Sequence, residues 1–314
     1  MTLAGSRIFV AGHRGMAGSA VVRALRAAGH ADVIGRTSAE LDLRDPAATA
    51  AFFRDERPDA VVMAAGRVGG VRANAADRYG FLRDNLLMAL NVVESARHAG
   101  VRRLLYVGSS CAYPRDADQP FREDALLTGA TEPTNEGYAL AKAAAVRLCD
   151  FARERHGCDF FSVMPCNLYG PGDDFVSEDS HVVPALLRRM HAARAEGAPS
   201  VRLWGTGAPR REFLHVDDFA RACVLLLGLD RPPPVTNVGS GEELTVRSLA
   251  ALAATTVGYA GRVEFDPSMP DGAPRKLLDV SRLRALGWSP SMSLPRGLAE
   301  TYAWYLANVA EARK

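Results

Sequence analysis

The sequence lacks a long hydrophobic run and a strong excess of either charge. No apolar stretch approaches the roughly 18 residues of a membrane span, so we expect no transmembrane helix. The formal net charge is +2 in a chain of 314 residues, which predicts no strong attraction to nucleic acid or to a membrane surface. The first residues, MTLAGSRIFVAGHRG, enter an apolar strand without the charged segment, apolar run and cleavage site of a secretory leader. We therefore expect a cytoplasmic protein.

The cysteines lack the spacing of a disulfide framework or of a zinc site. There are five, none in a Cys-x2-Cys pair, and the odd count fits poorly with complete pairing. We expect a reducing compartment, no metal site, and a reactive role for any special cysteine. Cys149, Cys158, Cys166 and Cys223 fall in apparent helices or strands or at their ends, which is typical of core packing. Cys111 follows a strand beside two serines, so it is either the reactive thiol or another packed residue.

Short apolar runs alternate with helical patterns through most of the chain. Predicted strands cover residues 7–11, 32–35, 60–65, 103–107, 160–164 and 201–204, and predicted helices cover 19–28, 46–57, 77–99, 138–156, 184–196 and 294–310. This alternation predicts an α/β fold with a Rossmann-like doubly wound parallel sheet. Residues 213–216 and 235–238 are expected to return to that sheet.

The regular alternation breaks after residue 172, where a polar loop is predicted over 173–180. A chain of this length holds one large domain or two modest ones. We expect a first domain of residues 1–170, with the returns near 213–240, and a smaller discontinuous α/β lobe of 171–212 and 241–314.

A glycine-rich turn follows the first predicted strand and precedes the first helix. Gly12, Gly15 and Gly18 have the spacing G-x2-G-x2-G, which lets the backbone approach a pyrophosphate at a helix N-terminus. The alternative is a simple strand–helix turn, but the flanking elements favour dinucleotide binding. The Gly-Lys-Ser/Thr signature of a nucleotide triphosphatase loop is absent from the turn.

Two arginines favour NADP over NAD as the cofactor. The second predicted strand ends at Arg36, where an NAD site usually carries a carboxylate for the ribose hydroxyl, and Arg14 lies in the glycine turn. Guanidinium groups suit a 2′-phosphate. Glu40 and Asp42 follow closely, and the alternative is that both arginines are solvated surface residues.

Tyr138 and Lys142 lie four residues apart and would share one helix face. A buried ammonium is expected to lower the pKa of the tyrosine and make the phenol a proton donor or acceptor at a carbonyl oxygen. Ser109 follows the fourth predicted strand, so it should reach the same edge of the sheet. Without these companions, a Tyr-x3-Lys pair is an ordinary helix face.

Seven motifs in one order resemble those of the GDP-L-fucose synthase family, within the extended short-chain dehydrogenase/reductase superfamily. They span residues 11–280 and read AGHRGMAGSA, VGSSCAYP, EPTNEGYALAK, MPCNLYGP, SHVVPALLRR, REFLHVDD and PDGAPRKLLDV. The glycine turn and Tyr-x3-Lys mark the superfamily, whereas Ser109 to Cys111 with Ser180-His181 marks the narrower family. The resemblance implies NADPH-dependent 3,5-epimerisation and 4-keto reduction of GDP-4-keto-6-deoxy-D-mannose to GDP-L-fucose, in an NADP-binding domain with a GDP-sugar-binding lobe.

The family chemistry assigns a role to each implied catalytic residue. Cys111 as thiolate is the base, and His181 is the opposing acid, although a lone histidine here is more often a loop or N-cap residue. Ser109 and Tyr138 hold the C4 oxygen, and Lys142 supplies positive charge. Tyr138 then protonates that oxygen as the ketone is reduced.

The resemblance also implies two sets of ligand contacts. The cofactor set is Gly12, His13, Arg14, Gly15, Met16, Gly18, Arg36, Asp42, Leu43, Ala64, Ala65, Tyr138, Lys142, Pro165, Asn167, Leu168 and His181. The substrate set is Ser109, Ser110, Cys111, Asn167, Val182, Leu186, Arg189, Trp204, Arg211, Asp271 and Lys276. Among these, Arg189, Arg211 and Lys276 are expected at the pyrophosphate and Trp204 on the guanine. A homodimer is implied, with the helices at 77–99 and 138–156 forming a four-helix interface.

Several residues depart from the family pattern and leave other functions open. Arg67, Gly137 and Cys166 differ, and Ser38 replaces a basic residue near the predicted phosphate site. Gly137 and Cys166 leave room for a different GDP-4-keto sugar, such as a deoxy sugar or a heptose. A different class of function is a non-catalytic NADP(H)-sensing protein, which would need no proton donor.

Overall fold

The chain folds into strands and helices that alternate along most of its length. The computed structural model describes residue 3 and residues 5–177, 180–269 and 271–310, without the side chains of Val71 and Ala310. The strands are β1 (Ile8–Ala11), β2 (Val33–Ile34), β3 (Ala60–Met63), β4 (Arg103–Val107), β5 (Asp159–Pro165), β6 (Asn167–Tyr169), β7 (Ser200–Trp204), β8 (Arg210–His215), β9 (Val235–Val238), β10 (Glu243–Thr245), β11 (Arg262–Asp266) and β12 (Arg275–Lys276). The helices are α1 (Met16–Ala27), α2 (Pro46–Glu56), α3 (Val71–Ala76), α4 (Arg78–His98), α5 (Glu136–His156), α6 (Val182–Ala195), α7 (Val216–Gly228), α8 (Val246–Val257), α9 (Ser281–Ala285) and α10 (Leu294–Tyr305).

Six strands form an entirely parallel main sheet in the order β2-β1-β3-β4-β5-β9. Strands β1, β3 and β4 are buried along their whole length, which explains their continuous apolar runs. The prediction of a doubly wound α/β fold is therefore confirmed. The strand order reverses between β1 and β3, and in such sheets ligands bind in the crevice at the carboxyl ends of the strands near that point.

The predicted return of residues 213–216 to the main sheet is wrong. Strand β8 belongs to a separate sheet, where it pairs with β6 and β12 in parallel and with β10 antiparallel. An apolar run of four residues identifies a strand but not its partner. The short strand β6, which the sequence analysis did not assign, supplies one partner. The predicted return of 235–238 is correct, because β9 forms the edge of the main sheet beside β5.

The buried hydrophobic residues form two clusters. The larger contains the main-sheet strands with α1, α4, α5 and α7, and the smaller contains side chains of α6, α8 and α10. Two clusters are compatible with the expected division into 1–170 and a lobe of 171–212 and 241–314, and that division stays a prediction. Residues 178 and 179 of the predicted polar loop lie outside the described residues.

The start of the first helix differs from the prediction at the glycine-rich turn. Helix α1 begins at Met16 inside the glycine motif rather than at residue 19. Helix α4 agrees with the helix predicted over 77–99, whereas the short α3 that precedes it was not predicted. Asp77 caps α4 by accepting a hydrogen bond from the Gly80 amide at 2.8 Å. Within the described part of the chain, no helix combines the length and apolar character needed to cross a membrane. A cytoplasmic location stays a prediction.

Candidate active site

A cleft of about 1920 Å³ opens at the carboxyl ends of the main-sheet strands. All but two of the predicted site residues line it. The lining members are Gly12, His13, Arg14, Gly15, Met16, Gly18, Arg36, Asp42, Leu43, Ala64, Ala65, Ser109, Ser110, Cys111, Tyr138, Lys142, Pro165, Asn167, Leu168, His181, Val182, Trp204, Arg211, Asp271 and Lys276. Leu186 and Arg189 are not brought to the cleft, since Leu186 is packed in the smaller core and Arg189 is exposed on α6.

The glycine turn places the N-terminus of α1 against the cleft. Gly12 has φ +80°, and a Cβ there would lie 2.7 Å from the Ala65 nitrogen. A Cβ on Gly18 would lie 2.1 Å from the Gly12 oxygen, so the helix could not approach the turn as closely. Gly15 is the N-cap and provides no side-chain cap, and the first turn of α1 contains no acidic residue. The first amides of α1 and the positive end of the helix dipole are therefore available to an anion, which fits the pyrophosphate of a dinucleotide.

The two arginines expected at the 2′-phosphate differ in their surroundings. The Arg36 guanidinium is paired with Glu56 and lies over the Phe52 ring, 5.5 Å from its centroid. Arg14 is exposed and forms no hydrogen bond or ion pair with any residue that the structure describes. Hydrogen bonds from Arg44 hold the pKa of Asp42 at about 2, so that carboxylate is already satisfied. Of these two arginines, Arg14 is thus the one whose guanidinium is not already paired and is available to a 2′-phosphate, within the part of the chain that the structure describes.

Lys142 is buried near the Tyr138 ring, and its ammonium donates a hydrogen bond to a backbone carbonyl. Its Nζ lies 2.7 Å from the Val107 oxygen and 5.7 Å from the centroid of the Tyr138 ring. Burial lowers the pKa of Lys142 to about 8, because the ammonium loses its hydration. The carbonyl of Val107 compensates part of this loss by solvating the charge.

The predicted lowering of the Tyr138 pKa is wrong for this structure. Burial raises the pKa of the phenol well above its ordinary value, the nearby Cys111 raises it further, and hydrogen bonding with Ser109 only partly opposes them. The reason is that the Lys142 charge is directed at Val107 rather than at the phenol oxygen. Tyr138 is consequently protonated near neutral pH, which is the state required of a proton donor.

Cys111 follows Ser109 in a tight turn, and a lysine from β12 lies close to its sulfur. Its backbone N–H donates to the Ser109 Oγ at 3.2 Å, and the Lys276 Nζ lies 3.7 Å from its sulfur. Lys276 pairs in register with Arg211 on the adjacent strand, so the two cations lie side by side. The ammonium expected at the pyrophosphate therefore lies next to the candidate base.

His181 is the N-cap residue of α6 and lies at the rim of the cleft, with 45% of its side chain exposed. Its Nδ1 is 3.4 Å from the Oδ1 of Asp173. This contact raises the pKa of His181 above its ordinary value, against the opposing effect of burial. The sequence analysis missed Asp173 because it lies eight positions before His181 and no helical or strand period relates the two residues.

Glu212 is a second residue that the sequence analysis missed. It is fully buried beneath Arg211 on β8 and accepts hydrogen bonds from the Gly241 amide at 2.6 Å and the Leu278 amide at 3.0 Å. Burial raises its pKa to about 7 in spite of these bonds. Through Leu278 it fixes the segment that carries Lys276, so it helps to set the position of both cations near Cys111. An acidic residue inside a strand gave no indication of these amide partners.

Two of the family departures have a packing explanation. A Cβ on Gly137 would lie 2.3 Å from the Arg78 carbonyl oxygen, and Gly137 does not line the cleft. Gly137 therefore permits the close approach of α5 to the start of α4 and does not enlarge a sugar site. Arg67 pairs with Asp77 at 2.8 Å and stacks over Phe81 at 4.6 Å.

Comparisons with known proteins show which family the chain is similar to. The model of the NAD dependent epimerase/dehydratase family matches residues 8–239. The chain is 51% identical over 304 residues to "GDP-L-fucose synthase 1" of Arabidopsis thaliana, covering 97% of this chain and 94% of the relative. It is 49% identical to "GDP-L-fucose synthase" of Escherichia coli (strain K12), covering 96% and 97%. The crystal structure of a GDP-L-fucose synthetase from Naegleria fowleri bound to NADP superimposes with a TM-score of 0.91 at 27% identity, covering all of this chain and 98% of that one.

Proposed function

The chain belongs to the GDP-L-fucose synthases of the NAD dependent epimerase/dehydratase family, and we propose from this membership how its cleft works. It is an NADPH-dependent enzyme that inverts C3 and C5 of GDP-4-keto-6-deoxy-D-mannose and reduces C4, giving GDP-L-fucose. The observation that carries the residue assignments is that one cleft holds two sets of acid–base groups. Cys111 and His181 serve the carbon centres, while Ser109, Tyr138 and Lys142 serve the C4 oxygen.

Epimerisation uses the ketone at C4, which acidifies the protons on C3 and C5. Cys111 takes a proton from one face, with Lys276 stabilising its negative charge, and His181 delivers a proton to the opposite face. The C4 oxygen gains negative charge in the enolate, and the hydroxyls of Ser109 and Tyr138 stabilise it by hydrogen bonding. After the first inversion Cys111 loses its proton to solvent and His181 regains one. The same pair can then invert the second carbon once the substrate presents it.

Reduction follows at the same ketone. When bound, NADPH supplies a hydride to C4, and its pyrophosphate and 2′-phosphate would be held by the α1 N-terminus and by Arg14. Tyr138 gives its proton to the C4 oxygen, which becomes a strongly basic alkoxide as the hydride arrives, so a phenol of raised pKa can still be the donor. The Ser109 hydroxyl stabilises the phenolate that remains by hydrogen bonding, and the Lys142 ammonium, held at the Val107 carbonyl, keeps a positive charge 5.7 Å from the centroid of the Tyr138 ring. A sensor of NADP(H) would have no use for this donor, so the intact Ser109, Tyr138 and Lys142 favour catalysis.

The substrate test is the oxidation of NADPH, followed by its absorbance. GDP-4-keto-6-deoxy-D-mannose should oxidise an equimolar amount of NADPH, whereas GDP-mannose, which has no ketone, should oxidise none. No oxidation with the keto sugar would contradict the proposed function. Faster turnover of a GDP-4-keto-heptose would move the assignment to the related GDP-sugar that the sequence analysis left open.

Arg14 should determine the preference for NADPH more strongly than Arg36. Arg14→Ala is expected to lower kcat/KM for NADPH relative to NADH by about tenfold or more, as for loss of a charged hydrogen bond. Arg36→Ala is the matched control and should have the smaller effect, because its guanidinium is already paired with Glu56. Steady-state kinetics with both cofactors measures the ratio. An unchanged ratio in Arg14→Ala would show that this arginine does not contact the phosphate.

A homodimer through α4 and α5 is a further part of the proposal. These helices pack together and leave large hydrophobic side chains exposed on their outer sides: Tyr79, Leu87 and Leu90 on α4, and Leu140 and Phe151 on α5. Tyr79 and Leu90 lie about three helical turns apart on α4, as do Leu140 and Phe151 on α5, so the two members of each pair share a face of their helix. A second copy of the chain would cover this surface with the same two helices.

Sedimentation should give the dimer mass for the wild type and the monomer mass for Leu90→Glu. A monomeric wild type would refute the proposed homodimer.

A further inference from the structure

A buried carboxylate in the wall of the cleft, Asp173, contacts the Nδ1 of His181. We propose that Asp173 is a positioning residue that holds the Nδ1–H of His181, so that Nε2 carries the proton delivered to the sugar during epimerisation. This inference rests on the proposed function and adds a residue to its proton-donating side. Asp173 itself touches neither substrate nor cofactor in this account.

The contact joins a buried carboxylate to a partly exposed imidazole. The Asp173 side chain is almost completely buried, and its Oδ1 lies 3.4 Å from the His181 Nδ1. The other oxygen, Oδ2, is buried without a hydrogen-bond partner in the part of the chain that the structure describes. A buried carboxylate is costly without a counter-charge, and a protonated imidazole supplies one. The contact is long for a hydrogen bond and is expected to shorten when both partners are charged.

The loop that carries Asp173 is fixed on three sides. The Asp173 Oδ1 accepts the Asp174 amide at 2.9 Å, which sets the direction of the carboxylate. Phe175 is buried, and its ring centroid lies 4.7 Å from that of Tyr305. Arg188 of α6 donates to the Val176 oxygen at 3.2 Å, which ties the loop to the helix that begins after His181. The carboxylate and the imidazole are therefore held on neighbouring, mutually connected segments.

Two opposing electrostatic effects meet at the imidazole. His181 is at the N-terminus of α6, whose dipole and unpaired amides disfavour a positive charge. Among the described residues, the side-chain charges that act on His181 are those of Asp173 and Asp174, and Asp173 has the largest effect. The pKa of His181 is raised, so the carboxylates outweigh the other influences. Without Asp173 the helix N-terminus would favour the neutral imidazole. In the neutral tautomer that carries its proton on Nδ1, Nε2 has no proton to deliver.

The pH dependence follows from this balance. A raised pKa keeps His181 protonated to a higher pH, so the proton-donating form is present below the titration midpoint and is lost as the pH rises through it. Removing the charge of Asp173 should move that loss to lower pH. Epimerisation should then become limited at neutral and alkaline pH while remaining closer to normal in mildly acidic solution.

Asp173→Asn tests the inference without removing the loop contact. The amide oxygen can still accept the Asp174 N–H, so the turn should persist. The titration midpoint of His181 in NMR spectra of histidine-labelled enzyme, assigned with His181→Asn, should fall by about one pH unit. This measurement needs neither substrate nor cofactor. Solvent deuterium incorporation at C3 and C5 of the substrate should fall by about tenfold at pH 8 and less at pH 6, in proportion to the lost imidazolium.

The control is Asp174→Asn. Asp174 acts on the imidazole through space and makes no hydrogen bond with it, while its Oδ1 accepts the Val176 and Ser177 amides. This variant should give a smaller shift of the His181 midpoint and near wild-type exchange. An unchanged midpoint in Asp173→Asn would overturn the inference even if the wild type is an epimerase. A lowered midpoint with unchanged exchange at every pH would also overturn it. Absence of exchange in the wild type would instead refute the proposed function.

Discussion

In the Cys111→Ser enzyme, epimerisation should fall by at least about a hundredfold while reduction of the C4 ketone continues. Serine preserves the size of the side chain and the turn around the Ser109 Oγ, but its hydroxyl is far too weakly acidic to form an anion near neutral pH. Tyr138 and Lys142 remain unchanged beside the ketone. The expected product is therefore a sugar reduced at C4 without inversion at C3 and C5.

Deuterium incorporation from solvent measures this separation at each carbon. Cys158→Ser is the matched control, since Cys158 is partly exposed after α5 and does not line the cleft. It should exchange both protons at the wild-type rate. Deuterium exchange at the wild-type rate in Cys111→Ser would exclude Cys111 as the base and leave it as a packed residue beside Lys276. Loss of exchange together with loss of reduction would indicate damage to the whole cleft.

In the Tyr138→Phe enzyme, reduction should fall by about a thousandfold, within the range for removal of a general acid. The phenol is the proton donor to the C4 oxygen, whereas the pyrophosphate is held at α1 and the 2′-phosphate at Arg14, so NADPH affinity should change little. Exchange at C3 and C5 should be weakened less than reduction, because Ser109 still stabilises the enolate oxygen.

Single-turnover oxidation of bound NADPH and a fluorescence titration of the cofactor separate the two effects. Tyr79→Phe removes an exposed phenol on α4 and should leave both quantities unchanged. A folded Tyr138→Phe enzyme with full reductase activity would exclude the phenol as proton donor. A large loss of NADPH affinity would show that Tyr138 mainly binds cofactor.

The sequence predicted those features that depend on local pattern. Continuous apolar runs such as 60–65 identified the buried parallel strands, and the carboxyl ends of those strands necessarily meet at one edge. Gly12 and Gly18 were recognisable from their spacing between a strand and a helix, and a Cβ at either position would clash with backbone atoms, of Ala65 for Gly12 and of Gly12 for Gly18. Tyr138 and Lys142 share a helix face, which their spacing alone fixes.

The sequence could not predict features that depend on contacts between distant segments. Strand β8 was assigned to the wrong sheet because its partners, β6, β10 and β12, are short and carry weak strand signals. The direction of the Tyr138 pKa was wrong because it depends on burial and on Val107 accepting from Lys142.

Contacts between charged or polar side chains that are distant in the sequence could not be predicted either. Arg36 is engaged by Glu56, twenty residues along the chain, and Lys276 approaches Cys111 across 165 residues. No residue pattern relates such pairs, because they form only when the elements that carry them have packed. The same is true of Asp173 and His181, which meet through the folding of a loop.

The central claim is that one cleft both inverts two carbons and reduces the ketone between them. The most direct measurement is NMR of the product formed by the wild-type enzyme from GDP-4-keto-6-deoxy-D-mannose and NADPH in deuterated water. We expect GDP-L-fucose that carries solvent deuterium at C3 and C5 and protium from NADPH at C4. A C4-reduced sugar that keeps the original configuration and protium at C3 and C5 would contradict it.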